Sequence, residues 1–273
     1  MTKKLTGYHL KLIALITMLV DHVAAVLIWR VYVASFQLTA SLQLSEKIGD
    51  KIIVWVAANQ ELVYSIYEHM RLIGRMSFPI YCFLLVEGFL HTSNVRKYAV
   101  RLLGFAFLSE IPFDLALTGQ VMDVAGYSNV FFTLFIALVT IWAISYIEKF
   151  AEFWKEKNWD AFLGLLIVAM SGLIVVAACG GFADIVLKTD YGFAGVLAIV
   201  AMYLLRNTKE LGFAVGIFVL TVLSSDTEIL ALCMLYPLMN YNGERGKAMK
   251  YVFYAFYPLH LLVLALMCIL IGV

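Results

Sequence analysis

Charge is what this sequence has least of. Asp, Glu, Lys and Arg together supply 14% of its 273 residues, hydrophobic side chains supply 63%, and the mean hydropathy is +0.90. A typical soluble domain is about 25% charged, so that class is excluded, and no room is left for a separate soluble catalytic domain. Cysteine is sparse as well. Cys82, Cys179, Cys233 and Cys268 lie in or beside apolar runs at no paired spacing, which excludes a thiolate metal site or a disulfide framework and leaves them as packing residues. The short alternating segments of an outer-membrane barrel are missing. So are internal repeats and low-complexity tracts, and the missing repeat counts against the two related halves common in transporters. A net charge of +1 gives no indication of nucleic acid as a partner.

What is present is a succession of apolar runs of membrane-crossing size, which takes about 17–25 residues. They fall near residues 10–33, 72–92, 98–118, 129–147, 160–179, 191–206, 211–224, 228–240 and 251–271. The expected fold is an all-α polytopic membrane helix bundle of about nine transmembrane helices, a single integral membrane domain over residues 1–273. The opening "MTKK" leads into the first run with no small-residue cleavage pattern, so that run reads as a retained helix. Basic residues collect in cytoplasmic loops. With the N-terminus cytoplasmic and the C-terminus outside, most of the 20 basic residues fall inside, including Lys11, Arg96, Lys97, Arg101, Arg245, Lys247 and Lys250. A multi-pass location in the cell (plasma) membrane is expected. Residues 35–70 fit least well: "KIIVWVAANQELVYSIYEHM" is broken by Asn59, Gln60 and Glu61 and reads as an outer amphipathic or re-entrant segment. A tenth span is the alternative, but it would put Arg96, Lys97 and Arg101 outside.

An ionisable side chain inside a span costs at least a few kcal/mol unless it meets a partner or water, so each marks a candidate site. The first run, "LKLIALITMLVDHVAAVLIW", carries Asp21 and His22 in its middle. His22 follows Lys11 by 11 residues, or about 16 Å of helix, and His260 follows Lys250 by ten, or about 15 Å. Two histidines thus reach one depth from one side, and histidine exchanges protons near neutral pH. Asp21 lies about 100° around the helix from His22, so it is expected to bond another helix. In the second run Arg71 and Arg75 share one face, Glu87 and His91 share nearly the opposite one, and Pro79 predicts a kink. Arg75 and Glu110 are expected at similar depth, above an outer vestibule that includes Asp114, Asn129, Thr133 and Asp190. Packing alone would also account for a buried Arg–carboxylate pair, and setting topology alone for most inner cations.

Three stretches carry a resemblance: "LKLIALITMLVDHVAAVL", "RLIGRMSFPIYCFLLVEGFLHTSNVRKYAVRLLGFAFLSEIPFDLAL" and "NVFFTL", with a weaker one at "YAFYPLHLLVL". In these the chain resembles the TraX family, membrane proteins named for acetylation of conjugative pilin. More loosely it is similar to transmembrane acyltransferases of the acyltransferase-3 group, whose first helix carries an Arg and a His at the interval that here separates Lys11 from His22. Lys cannot repeat the bidentate geometry of Arg.

Joined to the charge map, the resemblance implies an acetyltransferase that moves acetyl from cytoplasmic acetyl-CoA, its cosubstrate, to an amine or hydroxyl reached from the outer side. The acceptor is a pilin or other peptide N-terminus, a glycan or a lipid. His22 is the expected base and His260 a second proton carrier; Asp21 tunes or anchors His22, and Arg75 and Glu110 complete the catalytic candidates. Lys11, Arg96, Arg101 and Lys250 are expected to meet the nucleotide end of the cosubstrate. The alternative is a proton-coupled transporter or flippase that uses the same residues as a relay.

Overall fold

The computed structural model describes residues 4–123, 126–156, 161–248 and 250–273, and these are helical with no strand among them. The helices are α1 (Gly7–His22), α2 (Trp29–Ser35), α3 (Ala40–Gln43), α4 (Ile48–Ala58), α5 (Gln60–Gly74), α6 (Ser77–His91), α7 (Val95–Leu117), α8 (Val130–Glu156), α9 (Ala161–Gly181), α10 (Gly192–Leu204), α11 (Lys209–Leu223), α12 (Leu235–Met239) and α13 (Lys250–Ile271). Five helical stretches among the described residues are long and apolar enough to cross a membrane: Gly7–Ser35, Gln60–His91, Val130–Phe153, Val168–Val186 and Tyr251–Ile271. Gly192–Leu204 is a shorter apolar helix. The expected span near 228–240 is instead a 3₁₀ helix, Asp226–Met234, followed by the short α12.

Pro79 acts differently from the expected kink. Its ring collides with the carbonyl four residues earlier, that of Arg75, and the helix breaks at Arg75 and Met76 before α6 starts at Ser77. Pro79 therefore sits in the first turn of α6, where no intrahelical donor is needed. The break also cuts the single helix on which Arg71, Arg75, Glu87 and His91 were placed together.

The chain divides into two compact units. Unit 1 comprises Met1–Ile80, Leu108–Val124 and Tyr236–Val273. Here α1 runs into a π-helical segment, Val23–Ile28, and on into α2, making one 29-residue apolar helix, Gly7–Ser35. Such π segments recur at functional sites. The 35–70 region folds as α3, α4 and most of α5. Ile53, Val56 and Val63 from it close a small core with Val31 of α2, and Ile271 and Val273 pack against that core. A Cβ at Gly49 would overlap the Ile271 carbonyl, so the glycine permits α4 to approach α13. Arg30 ties these ends together, donating to the carbonyls of Val273 at 2.8 Å and Leu115 at 3.3 Å.

Unit 2 comprises Tyr81–Phe107 and Ala125–Leu235. Its centre is α10, nearly all of it buried among α8, α9 and α11. Gly212 and Gly216, one turn apart on α11, bring the backbones close: a Cβ at Gly212 would lie 3.3 Å from the Met202 carbonyl, and one at Gly216 would overlap the Met202 side chain. Small residues of this kind are how membrane helices gain contact area. Asn129 caps α8, accepting from the Phe131 N–H at 3.0 Å and donating to the Ala106 carbonyl at 2.8 Å.

Candidate functional site

The polar groups of α1 and α13 meet in unit 1. His22 is the last residue of α1, and the π-helical segment begins at the next one. His260 stands near the middle of α13, buried at 7% exposure. His22 Nδ1 and His260 Nε2 are 2.7 Å apart, and His260 Nδ1 is 2.7 Å from the Phe256 carbonyl one turn back on α13. A carbonyl only accepts, so His260 Nδ1 carries a proton. In the neutral ring Nε2 is then the acceptor, and the proton between the rings belongs to His22 Nδ1. His22 Nε2 is left as a lone pair with no hydrogen-bond partner among the described residues. The orientation of this nitrogen's lone pair is thus fixed by a backbone carbonyl two rings away.

Aromatic rings hold the pair in place. Phe256 stacks on His260 with centroids 4.8 Å apart and 15° between planes, and Tyr257 meets both imidazoles edge to face, at 5.8 Å from His22 and 5.7 Å from His260. Beside them runs an open groove of about 490 Å³, lined by Leu19, Val252, Ala255, Phe256, Leu259, His260, Val263 and Leu264. His260 is the only polar residue in that lining.

Asp21 bonds another helix, as its angular offset predicts. Its Oδ2 takes Arg71 Nη1 of α5 at 2.7 Å. Arg71, noted in the sequence but not chosen for the site, makes this ion pair, and the charge of Arg75 also acts on Asp21. The contact depends on Gly74, because a Cβ there would overlap the Asp21 carboxylate. Arg71 also exerts its charge on His22. Depth along a single long helix pairs Arg75 with Glu110; the Asp21 ion pair is made by Arg71, one turn earlier.

The remaining candidates fall in several places. Glu110 is half-buried on α7 in unit 1. Lys11 lies half-buried one turn into α1, its ammonium 5.7 Å from the centre of the Phe253 ring. Lys250 opens α13, and its side chain lies outside the described residues. Arg96 and Arg101 belong to unit 2, where Arg96 is exposed on the first turn of α7 and Arg101 lies 5.7 Å from the Tyr98 ring. The residues of the expected vestibule are divided between the two units. Asp114 of unit 1 accepts from the Asp123 N–H at 2.8 Å and closes the turn after α7, whereas Asn129, Thr133 and Asp190 belong to unit 2. No group of three metal-ligating side chains occurs among the described residues.

Comparison with known proteins follows the same lines. The sequence model of the TraX protein family matches residues 6–268. A probable fimbrial assembly protein, FimC of serogroup H1 from Dichelobacter nodosus, is 28% identical over 229 residues, covering 74% of this chain and 82% of that protein. No solved structure matches. With apolar helices of crossing length and a family match over nearly its whole length, the chain is a multi-pass membrane protein that belongs to the TraX family.

Proposed function

We propose that this protein transfers an acetyl group from acetyl-CoA to an amine or hydroxyl, with His22 as the proton carrier. The observation that supports this most directly is the His22–His260–Phe256 carbonyl chain, whose middle member lines an apolar groove and whose last nitrogen, His22 Nε2, bonds no other described residue. In the reaction His22 Nε2 takes the acceptor's proton as its nitrogen or oxygen attacks the thioester carbonyl. The C–S bond then breaks, and the same proton passes from His22 to the departing thiolate. Between these steps His22 is an imidazolium whose Nδ1–H stays bonded to His260 Nε2, so His260 positions the ring and spreads its charge.

Asp21 makes that positive intermediate tolerable. Arg71 without its carboxylate would present an uncompensated cation to the His22 ring, and in a medium of low dielectric such repulsion acts strongly. Arg75, whose charge also acts on Asp21, supplies positive charge of the kind that stabilises the oxyanion formed on the thioester carbonyl. Because the similar protein from Dichelobacter is a fimbrial assembly protein, the acceptor class we favour is a pilin-type peptide. The apolar lining next to His260 suits an acceptor that approaches within the bilayer.

The test is transfer of labelled acetyl from acetyl-CoA in membranes carrying the native protein or His22→Ala at matched folded abundance. Label found only with the native protein supports the reading, and the labelled fraction names the acceptor. Equal labelling with both forms removes His22 from the chemistry. No label with either, given peptide, glycan and lipid acceptors, moves the assignment to a proton-coupled carrier.

A further inference from the structure

The far end of unit 1 holds a second constellation, about 16 Å along α1 from His22. Residues 240–247 pass across the start of α1 as a strap and are bonded to it: Leu5 N–H donates to the Asn240 carbonyl at 3.0 Å, Asn242 N–H to Leu5 at 2.8 Å and Gly7 N–H to Glu244 at 2.8 Å. The strap bends at Gly243 (φ +83°) and Gly246 (φ +70°), where the left-handed backbone suits glycine. A Cβ at Gly246 would also overlap the Thr6 hydroxyl.

This fastening brings three cations together. Lys247 lies 5.7 Å from the Tyr8 ring centre and Lys11 5.7 Å from that of Phe253, while the charge of Arg245 acts on Lys11. Tyr8 and Phe253 meet edge to face at 6.0 Å. Glu244 is adjacent, but its carboxylate is bonded by the Asn242 amide at 3.1 Å, and none of the three cations has an acidic partner among the described residues. Like charges held together with no counter-ion, one of them half-buried, form an anion-binding arrangement.

We propose that Arg245 and Lys247, with Lys11 behind them, bind the phosphates of a nucleotide-borne acyl donor. The inference rests on the acetyl-transfer reading above and adds to it the donor's anchoring residues. Distance selects the donor class. An acyl phosphate has its anionic and acyl ends side by side and cannot touch the strap and His22 at once. Coenzyme A carries its phosphates and its thioester at opposite ends of a long flexible arm, and it can. A phosphate on a lipid headgroup shares the anionic chemistry but delivers no thioester.

The experiment measures binding without turnover. Purified full-length protein in phosphatidylcholine nanodiscs is titrated with coenzyme A, adenosine 3′,5′-bisphosphate and pantetheine, and the coenzyme A titration is repeated with phosphatidylglycerol present. The variants are Arg245→Gln/Lys247→Gln and, as control, Lys51→Gln, whose native partner is Glu46. Both strap side chains are exposed, and thermal unfolding checks that the fold is retained. The expected result is at least tenfold weaker binding of both phosphate ligands to the double variant, with a reduced salt dependence, no change for pantetheine or the control, and no competition by phosphatidylglycerol. Coenzyme A binding that is equal in native and double variant overturns the strap assignment and leaves acetyl transfer standing. Native protein that binds no coenzyme A overturns both. Loss of phosphatidylglycerol enrichment with nucleotide binding intact overturns the assignment in favour of a lipid headgroup.

Discussion

The Glu148 cluster of unit 2 and the His22–His260 pair of unit 1 both hold ionisable groups, and they treat them differently. In unit 2, Glu148 is gripped by Arg206 through two bonds of 3.1 Å and by the Tyr203 hydroxyl at 2.7 Å, and the guanidinium also covers the Tyr203 ring at 4.3 Å. Glu87, at 6% exposure, is met by Lys209 at 2.9 Å. The Glu148 and Glu87 carboxylates are each met by a cation, as expected of groups that fix helix packing. In unit 1 the chain from Phe256 through His260 to His22 ends on a nitrogen that bonds no other described residue. A matched cluster holds a fold together, and one with a spare valence at its end can take a proton. What distinguishes the Glu148 cluster from the histidine pair is the lone pair left at the end of the second rather than the number of charges.

The comparison can be broken at several points, and His22→Ala should do most. Losing a positioned base costs about 10²–10⁴-fold in transfer rate, with little change in thermal unfolding; a rate within threefold of native would show that the open nitrogen is idle. Gly74→Val comes next, because its side chain would occupy the space of the Asp21 carboxylate. Overpacking of this kind costs about 1–3 kcal/mol, and displacement of α1 from α5 should lower transfer about 100-fold; unchanged melting and turnover would mean the two helices are free to shift.

His260→Gln tests the relay itself. Its amide oxygen can still accept from His22 Nδ1–H, so transfer should fall only several-fold, whereas His260→Phe should lose roughly 10–100-fold, the lower part of the range for a misplaced base. Equal losses would assign His260 to packing. Asp21→Asn should cost about tenfold, equivalent to about 1.4 kcal/mol, and Arg71→Gln added to it should restore part of that rate; a purely additive double variant would show that charge balance at His22 is irrelevant. The smallest effect on transfer belongs to unit 2. Arg206→Gln should lower stability by about 2 kcal/mol, the scale of a bond to a charged group, while turnover per folded molecule stays at the native value. A matching drop in turnover would erase the distinction between the units.

Much of this arrangement was legible before any coordinates. A helix rises by a fixed amount per residue, so the near-equal intervals from Lys11 to His22 and from Lys250 to His260 bring the rings level when the two lysines are level, and the rings do meet at 2.7 Å. The angle between Asp21 and His22 likewise sent the carboxylate to a different neighbour. What periodicity could not reach was that Arg71 meets Asp21, because a shared helix face names neither the partner helix nor its register. The strap was equally invisible: Gly243, Gly246 and the residues between have no repeating pattern, and their register comes from backbone bonds to Leu5 and Gly7. Apolar content marked the helical stretches, but it does not separate an α-helix from the 3₁₀ turns at Asp226–Met234.

The two histidines are separated by 238 positions in the chain. A ribosome adds about 5–20 residues each second, so His22 is made on the order of 10–50 s before its partner. During that interval His22 lacks the imidazole it bonds in the finished protein, and for most of it the first helix also lacks the strap that fastens its end. A chain interrupted anywhere before α13 is therefore expected to be silent, and competence to react arrives only with the last helix to be synthesised.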